Sequence, residues 1–296
     1  MSLKAFIDYL QLEKNYSKHT LAAYKKDIDS FIAFCKAEFD VDNIDGIGYN
    51  LIRSWIVHLA DVGLANRSIN RKISSLNAYY NFLQKTGQIV TSPLIKHKAL
   101  KTKKKVEVPF SEIEMEKVLQ QIPFDNDFEG KRDSLMIEML YATGIRRTEL
   151  INLELHDIDW SKKTLKVLGK RNKERILPML PAMISKLEDY LEERSKLQII
   201  QNKTFLFLTQ KGLKIYETLV YRTINKYFSL VSPKVKKSPH VLRHTFATHL
   251  LNQGADLNAV KELLGHASLA STQVYTHNSI AELKKAHLKV HPRNKK

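Results

Sequence analysis

The sequence predicts a mainly α-helical protein: an N-terminal four-helix bundle followed by a mostly α-helical second domain with a small antiparallel β-hairpin. Apolar residues recur every three or four positions through most of the chain, which is the period of an amphipathic helix. Alternation of apolar and polar residues, the pattern of a half-buried strand, is strong only between residues 164 and 178. The length of 296 residues suits two domains of the usual ~100–200 residues each.

Four apolar stripes with short connections indicate a small helical bundle over residues 1–93. The first stripe starts at Leu3. The second follows Ser17, a residue type that favours the cap position before a helix. The third surrounds Trp55, and the fourth begins at about Asn66.

The polar face of the fourth helix is basic and rich in hydroxyl and amide groups. Arg67, Arg71 and Lys72 lie among Asn and Ser residues, and these residue types contact phosphates and groove edges in DNA complexes. Ordinary solvated helix faces have the same composition. Locally, a DNA-binding face and a solvated face are therefore equally good interpretations.

Residues 94–108 contain six lysines in fifteen positions, show no helical stripe and precede Pro109, which indicates a basic linker. The linker could lie across a DNA backbone or remain a solvated tether. A Ser-x-x-Glu capping box from Ser111 to Glu114 then starts the second domain, which we place at residues 109–278.

The second domain is predicted to be helical around one hairpin. The hairpin strands, 164–168 and 175–178, flank a turn of Gly, Lys, Arg and Asn. The further elements expected are helices over 129–143, 148–155, 181–197 and 217–230, an optional third strand at 158–160 and a short strand at 205–208.

The composition is strongly basic. Lys and Arg number 48 against 31 Asp and Glu, a formal net charge of +17, which favours a polyanionic partner such as nucleic acid. Charge that serves only solubility is the alternative. We expect no membrane attachment, since no run of ~18 apolar residues and no basic amphipathic helix with an aromatic face is evident.

Cysteine usage and the N-terminal residues indicate a cytoplasmic protein. Cys35 is the only cysteine, which excludes an internal disulfide bond and a zinc site built from cysteines. The first seventeen residues are amphipathic and charged, without an apolar signal core.

Some candidate functional residues stand at a helix break and at the hairpin tip. Arg146 follows the break at Gly144, and Glu149 lies three residues further, within reach to orient the guanidinium towards a phosphate. Alone, this pair would be an ordinary structural salt bridge. Lys170 and Lys173 lie on the hairpin tip, where lysine is common without any function.

A second set lies closer to the C-terminus. His240 and Arg243 share one face at the start of a predicted helix. His266 follows a glycine that ends the next helix, and Tyr275 has small polar neighbours. His240 and His244 have the spacing of zinc ligands, but no third ligand is evident, so no metal site is expected. These residues become specific for a phosphodiester only as a set.

Together these motifs resemble those of the tyrosine recombinases, the phage integrase family. The segments that carry the resemblance are GIRRTEL, GKRNKER, HVLRHTFATHLL and LLGHASLASTQVYTH. They present Arg, Lys, His-x-x-Arg, His and Tyr in that order, and the match extends over nearly the whole chain. It is strongest to the Xer recombinases, which resolve chromosome dimers. Arg147 and Arg171 stand where smaller or less charged residues are common in the family.

The resemblance implies a role for each residue of the set. Tyr275 would be the nucleophile that forms a 3′-phosphotyrosyl bond, and Lys170 would protonate the 5′-oxygen leaving group. The others would act on the phosphate: Arg146 and Arg243 as clamps on the non-bridging oxygens, Glu149 as the support of Arg146, and His240 and His266 as hydrogen-bond donors or proton carriers. No metal, ATP or other cofactor would be needed.

The resemblance also implies an organisation and partners. Residues 1–93 would be a core-binding domain, 109–278 the catalytic domain and 279–296 a tail that docks on a neighbouring subunit. The apolar anchors of that tail would be Ile280, Leu283, Ala286 and Leu288. A homotetramer, or a heterotetramer with a paralogous recombinase, would act on double-stranded DNA at a dif-like site, and a DNA translocase could activate it. The alternatives are a mobile-element integrase, a type IB topoisomerase and a non-catalytic DNA-binding protein.

Overall fold

Two compact units make up the chain, Met1–Lys105 and Val106–Lys296, each with its own hydrophobic core. The computed structural model describes residues 2–102, 107–169, 173–234, 236–265 and 291–294. Within those ranges, no helix is both long and apolar enough to cross a membrane.

The first unit is a four-helix bundle, which confirms that part of the predicted fold class. Its helices are α1 (Ser2–Leu12), α2 (Lys18–Phe39), α3 (Tyr49–Asp61) and α4 (Asn66–Lys85). The hydroxyl of Ser17 accepts a hydrogen bond from the Thr20 N–H and so caps α2. Helix α4 packs against the other three helices. It buries Ile69, Leu76 and Tyr80 completely, and each such side chain stabilises the bundle by about 1.5–3 kcal/mol.

The segment that follows the bundle lies along α4. Leu94 is buried in the core of this unit. Asn70 binds both main-chain groups of Leu100, donating to the carbonyl at 2.8 Å and accepting from the N–H at 2.9 Å. Asn66 donates to the Lys101 carbonyl at 2.9 Å. Two amides of the predicted DNA-binding face therefore hold the first half of the basic segment.

The second unit is mostly helical around a small sheet, as predicted. Its α-helices are α5 (Glu112–Glu116), α6 (Phe128–Thr143), α7 (Arg147–Asn152), α8 (Pro181–Ser195), α9 (Glu217–Ser229), α10 (Pro239–Asn252) and α11 (Leu257–Leu264). Short 3-10 turns form at Leu155–Asp157 and Pro292–Asn294, and α5 continues as a π-helical turn over Lys117–Gln121. The capping box predicted at Ser111 is present, with both of its hydrogen bonds to Glu114.

Three antiparallel strands form the sheet in the order β1-β2-β3. They are β1 (Ile158–Asp159), β2 (Thr164–Leu168) and β3 (Glu174–Pro178). The optional third strand thus exists. The register pairs Val167 with Arg175, so this arginine lies on the buried face of the hairpin. The prediction of a strand at 205–208 is wrong, because within the described residues this segment forms only isolated bridges, at Phe205 and Leu208.

Helix α6 forms the centre of the second unit and packs against α8, α9 and α10. It ends at Gly144, which has a φ of 61°. A Cβ at Gly144 would lie 2.4 Å from the Phe246 ring, and the left-handed conformation also disfavours other residues. Glycine is therefore required at this position. The chain turns sharply here, and Arg146 follows two residues later, at the start of α7.

Candidate active site

Arg146 stands at the start of α7, where it makes a compact pair with Glu149. Its main-chain N–H donates to Glu149 Oε2 at 2.8 Å, and its Nη1 donates to Oε1 at 2.7 Å. The Arg146 side chain is 32% exposed, whereas that of Glu149 is 4% exposed. The carboxylate thus holds the guanidinium from behind and leaves part of it open to a ligand.

A second arginine, Arg175, binds the same carboxylate. Its Nη1 and Nη2 donate to the two oxygens of Glu149 at 2.9 and 2.7 Å, a bidentate pair. Its Nε donates to the Leu263 carbonyl at 2.9 Å. Arg175 was not among the residues predicted for the site. The signal was available, because Arg175 alternates with Ile176 and so shares the buried face of β3 with Leu177.

These contacts lower the pKa of the Glu149 carboxyl. Burial alone raises it, but the hydrogen bonds and charge of Arg175, and then the hydrogen bonds from Arg146, lower it to about 2. Glu149 is therefore ionised throughout the neutral range. A buried carboxylate needs such compensation, since an unpaired one would cost several kcal/mol.

Arg243, on α10, completes the group from the other side. It is buried, and it donates to the Gly144 carbonyl and to the Leu264 carbonyl, each at 2.6 Å. Burial and then the nearby charge of Arg146 lower its pKa to about 10. At neutral pH the guanidinium remains charged.

The three arginines converge on the C-terminal end of α11. Arg175, Arg243 and Arg146 donate to three consecutive carbonyls, those of Leu263, Leu264 and Gly265, the last at 3.1 Å. Cations are favoured at this position because the helix macrodipole and the unpaired carbonyls make it negative.

The chemistry of this cluster is that of an anion site. The group contains three guanidiniums and one carboxylate, which Arg146 and Arg175 bind directly, so its net charge is 3 − 1 = +2. Guanidinium groups bind phosphate oxygens bidentately. In a site with little water, fixed cations stabilise the charge that develops on a phosphate during transfer.

His240 lies one turn before Arg243 on α10. Its side chain is 76% exposed, and its Nε2 lies 3.8 Å from Glu107 Oε2. Glu107 also pairs with Lys236, and that hydrogen bond is the main reason why the pKa of the Glu107 carboxyl is lowered. The His240 imidazole is therefore exposed to solvent beside Glu107.

Three predicted site residues, Lys170, His266 and Tyr275, lie outside the described residues, as do Arg171 and the predicted apolar anchors of the tail. Lys173 is described, and it is exposed. Its carbonyl accepts a hydrogen bond from the Gly169 N–H at 2.8 Å, which closes the hairpin loop.

The predicted DNA-binding residues of α4 have different surroundings. Arg67 is exposed. The Arg71 side chain is 54% exposed, but its guanidinium is paired with the buried carboxylate of Asp27. The Lys72 side chain is only 13% exposed and lies between Asp27, at 3.4 Å, and the ring of Trp55. Asp27, the partner of both side chains, was not predicted, because it lies on a different helix, α2.

Two further features bear on the predictions. Arg147, which departs from the family pattern, forms an ion pair with Glu217 on α9. His244 lies on α10, and among the described residues no group of three or more His, Cys, Asp or Glu could hold a metal ion.

Comparison with known families identifies the class of the protein. The model of the phage integrase family matches residues 114–282, and that of the phage integrase N-terminal SAM-like domain matches residues 3–87. The chain therefore belongs to the phage integrase family of tyrosine recombinases, enzymes that carry out site-specific recombination.

The relatives narrow the class to the Xer type. The chain is 40% identical over 294 residues to the tyrosine recombinase XerC of Oceanobacillus iheyensis, covering 98% of this chain and 96% of that one. It is 36% identical to XerC of Chlorobaculum parvum, covering 98% and 94%.

Two solved structures share the fold. The XerH recombinase bound to difH substrate before cleavage is similar with a TM-score of 0.68 at 25% identity, covering 97% of this chain and 84% of that one. The Tn1549 transposon integrase with transposon right-end DNA gives a TM-score of 0.72 at 21% identity, covering 96% and 98%. At 21% identity, the similarity to the Tn1549 integrase shows a shared fold only.

Proposed function

We propose that this recombinase cleaves and rejoins DNA through a covalent 3′-phosphotyrosyl intermediate on Tyr275. The observation that carries the proposal is the arginine cluster at the end of α11. It brings Arg146 and Arg243, about a hundred residues apart in sequence, to the adjacent carbonyls of Gly265 and Leu264. Gly265, whose carbonyl belongs to the cluster, directly precedes His266 in the chain, and Tyr275 lies nine residues after His266.

The reaction exchanges one phosphorus–oxygen bond for another. The phenolic oxygen of Tyr275 attacks the phosphorus, and its proton passes to an imidazole, that of His240 or His266. The bond from phosphorus to the 5′-oxygen breaks, and Lys170 gives that oxygen its proton. Such general acid catalysis contributes ~10²–10⁴ in rate. Rejoining reverses these steps, so the phosphodiester energy is conserved without ATP.

Arg146 and Arg243 act on the non-bridging oxygens of the phosphate. A guanidinium has five N–H donors, and the contacts of Arg146 with Glu149 and Gly265 use two of them. Arg146 can thus bind a phosphate while Glu149 still holds it. The two cations stabilise the transition state and favour the ionised form of Tyr275, whose ordinary pKa is about 10.

Replacement of Tyr275 by Phe tests the nucleophile. We expect Tyr275→Phe to bind DNA as the parent does and to form no covalent adduct on a nicked suicide duplex, because the attacking oxygen is absent. Capture and sequencing of the DNA bound to Tyr275 in the parent would then give the target site. If the Phe variant still cleaves and rejoins DNA, the nucleophile has been assigned wrongly.

Double-stranded DNA is the proposed substrate, and both units would contact it. The structures of XerH and of the Tn1549 integrase were both solved with DNA bound. Unit 1 would act as the core-binding domain, with Arg67 and Arg71 exposed and Lys72 adding charge beside them. In the second unit, Lys173 on the hairpin would contact the backbone.

The C-terminal residues support a docking role for the tail, residues 279–296. His291 is completely buried. Arg293 forks onto the buried carboxylate of Glu138, with Nε and Nη2 each 3.0 Å from an oxygen. These contacts lie within one chain. We infer that in a tetramer Glu138 receives Arg293 of a neighbouring subunit, since the same contacts are available to an identical segment.

In the cell, this activity would resolve chromosome dimers at a dif-like site in the cytoplasm, with a paralogous recombinase as a second subunit type and a DNA translocase as activator. The 40% identity to a XerC favours this role. Capture of the protein on a single chromosomal locus, with recombination between two copies of that locus, would support this role. Integration of a mobile element by the purified protein, or relaxation of plasmids without a specific site, would favour an integrase or a topoisomerase instead.

A further inference from the structure

Arg175 is a buried arginine that takes no part in the reaction described above. Its side chain is 4% exposed, so DNA cannot reach it. Three of its five donors are engaged, two by Glu149 and one by the Leu263 carbonyl. Any effect of Arg175 on the reaction must therefore pass through the groups that it holds.

Two glycines lie against this side chain. A Cβ on Gly169 would lie 3.4 Å from Arg175 Nη1, and one on Gly265 would lie 3.3 Å from its Cδ. Gly169 directly precedes Lys170, and Gly265 directly precedes His266. Arg175 therefore packs against the residues to which a proposed general acid and a proposed proton carrier are joined.

We propose that Arg175 is a positioning residue for strand cleavage, which fixes the hairpin loop at Gly169 and the end of α11 at Gly265 relative to Glu149. The inference rests on the proposed function, because only there are Lys170 and His266 catalytic. Arg175 thus joins three parts of the site: the hairpin, α11 and the carboxylate that holds Arg146.

The shape of the arginine side chain is what this role needs. Its planar fork binds both oxygens of Glu149, while Nε remains free to bind a carbonyl on the other side. Lysine at this position keeps the charge, but one ammonium cannot make both contacts. A displacement of ~1 Å in an active site can lower the rate by ~10²-fold.

The first test compares two buried arginines in the full-length protein. On a nicked duplex with a dif-like site, we expect Arg175→Lys to lower the rate constant of covalent adduct formation by ~10²-fold and to leave the DNA dissociation constant unchanged. The matched control is Arg194→Lys, since Arg194 is also buried and binds the carbonyls of Lys203 and Phe205, away from the cluster. Equal rates for the two variants would overturn the proposal.

The second test uses the leaving group. A duplex with sulfur in place of the bridging 5′-oxygen releases a thiolate, which needs no proton from a general acid. If Arg175 positions Lys170, much of the Arg175→Lys deficit disappears on this substrate, as does that of Lys170→Ala. Rescue of Lys170→Ala without any rescue of Arg175→Lys overturns the positioning of Lys170. A Lys170→Ala deficit that persists overturns the proposed general acid itself, so the two failures are distinguishable.

A second variant serves if Arg175→Lys does not fold. Gly169→Ala keeps every charged group and places a methyl 3.4 Å from Arg175 Nη1 and 3.2 Å from the Lys173 carbonyl oxygen. We expect slower cleavage with DNA binding retained, and partial rescue by the sulfur substrate. Cleavage at the parental rate would contradict the inference.

Discussion

At the scale of single residues, Glu149 determines the electrostatics of the described part of the site. It accepts hydrogen bonds from two arginines and from a main-chain N–H, which outweigh the effect of its burial on the pKa. A carboxylate in this position neutralises part of the charge that Arg146 and Arg175 would otherwise present to each other. It also fixes the direction in which Arg146 points.

Because the pKa of Glu149 is lowered, the free energy of unfolding should depend on pH through this residue. Its pKa falls from 4.5 to about 2 on folding, so the ionised side chain stabilises the fold above pH 4.5, by ~3 kcal/mol at most. We expect Glu149→Gln to lower the free energy of unfolding at pH 7. The difference from the parent should shrink as the pH falls from 4.5 towards 2, where the parent carboxyl becomes protonated.

Denaturant titration at several pH values measures this difference. The control is Glu188→Gln, because Glu188 is exposed on α8 and should change the unfolding free energy little at any pH. A deficit of Glu149→Gln that does not depend on pH would show that packing, and not charge, is responsible.

At the scale of elements, the site combines three helix ends, namely the C-terminal end of α6, the start of α7 and the end of α11, with Arg175 of β3 and Arg243 of α10. The turn at Gly144 brings Arg146 to the carbonyls of α11, and the Gly144 carbonyl itself accepts from Arg243. Helix ends carry unpaired main-chain groups, and here the arginines of the site satisfy them.

Two glycines with positive φ, Gly144 and Gly254, allow the cost of backbone strain to be distinguished from the cost of a steric clash. Gly144→Ala should lower the free energy of unfolding by more than Gly254→Ala, both measured by denaturant titration. Both alanines pay for a left-handed conformation, about 1–2 kcal/mol. Only the methyl at Gly144 also meets the Phe246 ring, whereas nothing lies within 4 Å at Gly254. Equal losses would show that the ring moves aside at no cost.

At the scale of the whole molecule, the net charge of +17 should make DNA binding strongly dependent on salt, because each phosphate contact releases counterions. We expect Arg67→Ala to reduce the slope of log affinity against log salt by about 1. Lys36→Ala is the control, since Lys36 is exposed but paired with Asp42 on the same unit. A slope that Arg67→Ala leaves unchanged would contradict a phosphate contact there.

Assembly is the other property of the whole molecule. We expect Arg293→Ala to weaken the formation of paired DNA complexes by about tenfold, which corresponds to ~1.4 kcal/mol, because it removes the fork onto Glu138. Native gels of recombinase with two duplexes measure this. Lys196→Ala, which removes an exposed cation of the same unit, should assemble normally. Normal assembly of Arg293→Ala would argue against docking by the tail.

The sequence by itself determined the class of fold and the class of enzyme. Periodic apolar residues indicated the four-helix bundle, alternation located the hairpin, and the Ser111 capping box was found from local spacing alone. These signals are local, because they depend on neighbouring positions of one helix or strand. The order of the motifs then indicated the recombinase family.

Only the tertiary structure decided which side chains pair with one another. Arg175 binds a carboxylate 26 positions away and Arg71 binds one 44 positions away. No local pattern shows such a partner, because periodicity reveals which face of an element is buried and not what is packed against it. The arginine cluster at the end of α11 therefore exists only in the folded protein, where residues of α7, β3 and α10 lie side by side.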